Sequence, residues 1–160
     1  MFGYLVKRLI LAAKAVSSRY TRRNKAEFGK VADYIMMLAQ SHVGNYMVFF
    51  PSYRYMEVVE QILDERYDGS FRWQMQTKRM TEEEREEFLA LFEEKREQSF
   101  VGLCVLGGIF SEGIDLKAER LEGTIIVGTG LPMVCSEQEI LMQYFDDHGK
   151  NGYDYAYQYP

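Results

Sequence analysis

Three glycines, a hydroxyl and two carboxylates crowd into one short stretch, GGIFSEGID, from Gly107 to Asp115. Gly107, Gly108 and Gly113 allow left-handed backbone and a close approach of main chain to ligand that a Cβ would block. Ser111 adds a hydroxyl, and Glu112 and Asp115 add charge. A second group, Ser52, Tyr53 and Arg54, directly follows Pro51. Ser52 is a ready N-cap, and the free amides and positive dipole end of a helix N-terminus suit phosphate. Taken alone, both groups keep two readings open. The glycines and Ser-Glu also make an ordinary turn and solvated loop, and Ser52–Arg54 also make a plain helix cap with core aromatics.

Strands and helices must position these residues. Phe100–Leu106 is a nearly continuous apolar run, as in a strand buried on both faces of a parallel sheet. It delivers Gly107 and Gly108 to its carboxyl end, where open parallel sheets gather their ligands. Asn45–Phe50 is a second such strand and delivers Ser52. Ser70–Gln76 alternates Phe71, Trp73 and Met75 with Arg72, Gln74 and Gln76, which predicts a half-buried edge strand. Leu121–Gly128 reads as another buried strand, with Thr129–Pro132 as its exit loop. Helices are predicted between them. Asn24 with Glu27 opens the first, which Gly44 ends, and Ser52 opens the second, with Tyr55, Met56, Val59, Ile62 and Leu63 on one face. Thr81 with Glu84 caps a third over 82–97, and Ser136 with Glu139 caps a fourth carrying Ile140, Leu141, Tyr144 and Phe145. Residues 1–23 form a lead-in with, at most, a short strand at Leu9–Leu11. The β-α alternation with short connections predicts an open parallel α/β sheet with helices on both faces.

Composition narrows the classes. At 160 residues and 47% hydrophobic content the chain suits one ordinary globular domain. Its net charge of −5 hides an uneven distribution. Residues 1–30 hold eight of the nineteen Lys and Arg against Glu27 alone. A basic start on an acidic body fits a local polyanion contact rather than a protein that coats nucleic acid; the other reading is a solvated basic helix and linker. Cys104 and Cys135 are too few and too far apart for a metal site or disulfide framework, which suggests a reducing, cytoplasmic compartment. No run approaches a membrane span, and Lys14 interrupts the apolar Leu9–Ala13 before it resembles a signal peptide.

Several segments together carry a resemblance. GGIFSEGIDL resembles motif V of the DinG/XPD-like branch of superfamily 2 helicases, and the strand and exit loop after it, to Pro132, fit the same pattern. GNYMVFFPSYRYM (Gly44–Met56) resembles motif IV. SSRYTRR (Ser17–Arg23) resembles the basic lead-in to the second motor domain, and YDYAYQYP the segment before motif VI. The resemblance spans nearly the whole chain in family order. It implies a three-layer RecA-like, P-loop NTPase-type α/β fold with a mainly parallel sheet. Residues 24–160 would be the second motor domain, incomplete at the carboxyl end, of an ATP-dependent helicase that unwinds DNA 5′ to 3′. Single-stranded DNA and the first RecA-like domain are the implied partners. Ser52, Tyr53, Arg54, Gly107, Gly108 and Ser111 are implied on the DNA side, and Glu112, Gly113 and Asp115 on the nucleotide side. An acidic group does not bind phosphate directly, so Asp115 is expected to meet a ribose hydroxyl, a water or an arginine.

The departures matter equally. The sequence contains no GxxxxGK[ST] loop, no DEAH-type magnesium box and no QxxGRxxR stretch. ATP and Mg2+ are therefore expected mainly on the first motor domain of a parent protein, with none held by this chain, which alone should not hydrolyse ATP. Cys104 and Cys135 do not match the iron–sulfur cysteines of the family. The alternative is a non-catalytic α/β module that binds a protein or nucleic-acid partner. A dinucleotide-binding reading of the glycines near Gly128 is weak, because the third glycine and the acidic partner are poorly placed.

Overall fold

The computed structural model describes residues 9–92, 97–110, 121–128 and 136–158. The chain divides into two compact units, Met1–Gly128 and Thr129–Pro160.

The first unit is built on a four-stranded sheet. In chain order its strands are β1 (Asn45–Phe50), β2 (Phe71–Met75), β3 (Ser99–Val105) and β4 (Gly123–Ile126). They lie side by side as β2-β3-β1-β4, and every pairing is parallel. The register runs from Asn45 opposite Phe100 to Phe50 opposite Val105. All carboxyl ends therefore open on one edge.

Side-chain alternation explains the layers. Tyr46, Val48 and Phe50 of β1 and Val101, Leu103 and Val105 of β3 join one core. The helices α1 (Lys25–Ser41) and α2 (Tyr53–Glu65) cover it with Val31, Ala32, Ile35, Ala39 and the expected face of α2, Tyr55 through Leu63. Met47, Phe100 and Cys104 point to the other face and meet Phe88 of α3 (Glu82–Ala90), with Phe92 and Phe110. Two cores on opposite faces make the three-layer α/β arrangement. The continuous burial of β3 follows from its inner place between β2 and β1. Burial alone pushes the Cys104 thiol up to about 12, so it is an inert core group.

Three expectations need correction. Leu9, Ile10 and Leu11 form no strand and stand 81%, 91% and 81% exposed. β4 is shorter than Leu121–Gly128 and only half-buried: it lies at the sheet edge among the described residues, and Thr124 and Ile126 face outward. α3 ends at Ala90, earlier than expected, and the chain turns there as the Phe92 amide donates to the Leu89 carbonyl. The fate of Lys95 and Arg96 lies outside the described residues.

Helix caps follow the sequence closely. The Asn24 and Ser52 side chains accept from the Glu27 and Tyr55 amides, and Thr81 and Glu84 form a complete reciprocal capping box. Asn24 and Glu27 complete only half of theirs. The Glu27 carboxylate turns instead to the Ser17 amide at 2.7 Å and to Lys30 at 2.6 Å. That ties the lead-in to α1, and the Lys30 ammonium also reaches the Ala15 carbonyl.

The second unit pairs α4 (Ser136–Asp147) with a π-helical turn, Asp154–Gln158. Tyr155 stacks on Phe145 with ring centroids 4.1 Å apart. Lys150 lies over both rings. Gly149 makes the turn at φ +70°, and the Asp146 carboxylate accepts from the Gly152 amide. Ile140 and Tyr144 of α4 are 70% and 55% exposed.

Candidate functional site

The carboxyl edge of the sheet brings the two chemistry-bearing groups together. β1 ends at Phe50 and leads through Pro51 to Ser52, whose hydroxyl oxygen caps α2 by accepting from the Tyr55 amide at 3.2 Å. Its neighbour β3 ends at Val105 and leads to Gly107 and Gly108. Because Phe50 and Val105 are direct register partners, both loops leave the sheet at the same level. The Leu106 amide still donates to the Phe50 carbonyl at 2.8 Å, a last rung between them.

Gly107 takes φ +72°, a conformation that penalises any side chain. Gly108 is needed for a different reason. A Cβ there would stand 3.0 Å from both the Val105 carbonyl and the Gln76 side-chain nitrogen. The turn is closed by the Gly108 amide donating to the Val105 carbonyl at 3.1 Å. Phe110 then drops back into the core, stacked on Phe88 at 4.7 Å. The loop is thus anchored at its start by the sheet and at Phe110 by α3.

On the neighbouring loop, Tyr53 is half-buried, and desolvation holds its phenol above the usual tyrosine range. Its hydroxyl donates to the Thr77 carbonyl at 3.2 Å and accepts from Gln76 Nε2 at 3.0 Å. Lys78 Nζ lies 5.6 Å from its ring and pairs with Glu57 at 3.5 Å. The Arg54 side chain is exposed. The basic lead-in reaches the same unit. Arg23 lies over the Tyr55 ring at 5.2 Å, and Ser18 stands beside Gly128, the turn after β4.

Of the residues singled out from sequence, Ser52, Tyr53, Arg54, Gly107 and Gly108 therefore share one edge. Ser111, Glu112, Gly113 and Asp115 lie outside the described residues. Two residues at this edge escape sequence reading. Gln76 falls on the polar side of an alternating strand, yet it is 3% exposed. Phe110 looks like a loop residue, though a lone aromatic between glycines is a recognisable anchor. Among the described residues, no group of three or more His, Cys, Asp or Glu side chains is placed to hold a metal ion. No described helix is long and apolar enough to cross a membrane.

This arrangement offers amides, hydroxyls and exposed cations along an edge. It can grip a polyanion without reading its sequence. The profile of the helicase C-terminal domain family matches residues 35–160. Two solved structures share the fold. One, named as apo XPD, aligns with a TM-score of 0.67 and 20% identity over 89% of this chain and 28% of its own. The other, named as an XPD helicase, aligns with a TM-score of 0.65 and 22% identity over 89% of this chain and 25% of its own. The chain spans about a quarter of the length of these solved chains.

Proposed function

Because the chain belongs to the helicase C-terminal domain family, we propose that it acts as the second RecA-like motor domain of an XPD/DinG-like, ATP-dependent DNA helicase. In this reading residues 1–23 are the lead-in and 24–160 the motor domain. The parent protein moves 5′ to 3′ along single-stranded DNA, and a first RecA-like domain is the intramolecular partner. One observation carries the DNA role: the Ser52–Arg54 helix start and the Gly107–Gly108 turn leave adjacent parallel strands at the same level. Amides and hydroxyls spaced along such an edge suit successive phosphates.

Ser52, Tyr53, Arg54, Gly107, Gly108 and Ser111 are assigned to the strand of DNA. Glu112, Gly113 and Asp115 are assigned to the nucleotide side of the interdomain cleft. The sequence has no GxxxxGK[ST] loop and no DEAH-type magnesium box. ATP and its metal are therefore assigned mainly to the first motor domain, and this chain's part is to grip DNA and respond to the nucleotide.

Arg54 gives the sharpest test. It is exposed, so Arg54→Ala should leave the melting temperature within the small range usual for surface changes. Binding to a fluorescein-labelled oligothymidine, followed by anisotropy at increasing salt, should weaken. The slope of log K against log salt should flatten by about 0.7, the loss of one phosphate contact on a single strand. An unchanged affinity and slope would remove Arg54 from the DNA side and count against this edge as the track.

A further inference from the structure

Gln76 is a buried polar side chain with both ends engaged. Oε1 accepts from the Val105 amide at 3.0 Å, and Nε2 donates to the Tyr53 hydroxyl at 3.0 Å. The amide orientation follows from its neighbours, since a backbone N–H requires the oxygen. The backbone explains why this residue is special. Met75 is the last β2 residue in register, opposite Leu103, and the Gln76 amide still donates to the Leu103 carbonyl at 2.8 Å. In a parallel ladder the next rung would join the Val105 amide to the Gln76 main-chain carbonyl. Here the side-chain carbonyl makes that bond instead. The main chain is released to turn toward Thr77, whose carbonyl accepts from Tyr53. The same side chain crowds Gly108: a Cβ there would stand 3.0 Å from Gln76 Nε2 and from the Val105 carbonyl.

We propose that Gln76 is a positioning residue that fixes the spacing between the Tyr53 helix start and the Gly107–Gly108 turn. It carries no charge and is too buried to bind a ligand itself. Its effect on ligand grip is exerted through the two loops, and this part rests on the reading of the edge as a DNA contact. A half-satisfied buried amide costs more than an absent one, so both bonds hold the device together.

Amide exchange, followed by NMR on the 160-residue chain, tests the clamp without reference to DNA. Gln76→Leu should speed exchange at Val105 by about tenfold, the loss of one hydrogen bond. Val48 and Leu103, inside β1 and β3, should keep their protection. The same variant should bind labelled oligothymidine severalfold more weakly with an unchanged salt slope, because geometry and not charge is lost. Tyr53→Phe is the second variant and should also speed Val105 exchange, more weakly. It decides the matter if Gln76→Leu loses its melting transition. Unchanged Val105 exchange in both variants would overturn the proposal, as would unweakened DNA binding by a variant with a loosened Val105. If the wild-type chain fails to bind DNA even at low salt, the functional reading falls while Val105 exchange still judges the clamp.

Discussion

Glu27 shows how one side chain can do more than its sequence position suggests. As the third residue of α1 it belongs to a capping box, yet its carboxylate leaves the Asn24 amide and holds Ser17 and Lys30. The hydrogen bond from Lys30, then that from the Ser17 amide, lowers its pKa below the ordinary glutamate value. A depressed folded-state pKa means stabilisation that is complete above the unfolded value and lost as pH falls through the folded one. At neutral pH, Glu27→Gln should therefore melt below the wild type and free the lead-in. The gap between the two melting temperatures should close as the pH drops below the glutamate range. A gap that persists unchanged in acid would show that shape and not charge ties the lead-in to α1.

At the scale of elements, α3 supports the glycine turn from beneath. Its capping box fixes where the helix starts, and Phe88, one turn further along, stacks on Phe110. Close packing between α3 and β3 depends on Gly102. A Cβ there would fall 2.5 Å from the ring edge of Phe92 and 3.2 Å from that of Phe88. Gly102→Ala should overpack this face and cost about 1–3 kcal/mol, measured by urea unfolding. Its φ is not in the left-handed region, so the cost would come from the phenylalanines and not from backbone strain. Combining Gly102→Ala with Phe92→Leu, which makes room, should recover part of the loss. Failure to recover any of it would place the strain elsewhere. The sequence displays a glycine in an apolar strand, but only the packed helix explains it.

For the molecule as a whole, the proposed role predicts an activity profile as much as a binding one. A phosphate loop, a metal box and an arginine finger are what phosphoryl transfer requires, and this chain has none of their motifs. The purified chain should show no ATP hydrolysis above buffer, with or without single-stranded DNA. Its DNA binding should be weak, indifferent to base sequence and steeply salt-dependent, because the track is partial and the net charge is −5. DNA-stimulated turnover by the chain alone would overturn the division of labour between two motor domains. Tight binding at physiological salt with base preference would favour a free-standing binding module.

How much of this was legible in the sequence depends on the range of the interaction. Strand and helix order, the Ser52 and Thr81 caps and the buried faces of α1 and α2 were readable, because apolar periodicity and capping are local. The glycine pair after an apolar run was also readable as the turn that follows β3. The failures were non-local. Ile126 reads as core but faces outward, since a strand's burial depends on its neighbours in the sheet and not on its own residues. Gln76 looks like one more polar residue on an exposed face. Its role exists only because the end of β2 stops beside Val105 and Tyr53, residues 29 and 23 positions away in the chain. The sequence by itself determined which elements form and which residues offer chemistry. Tertiary structure alone decided which of those residues meet, because hydrogen bonds at a strand end are set by register, and register is a property of the assembled sheet.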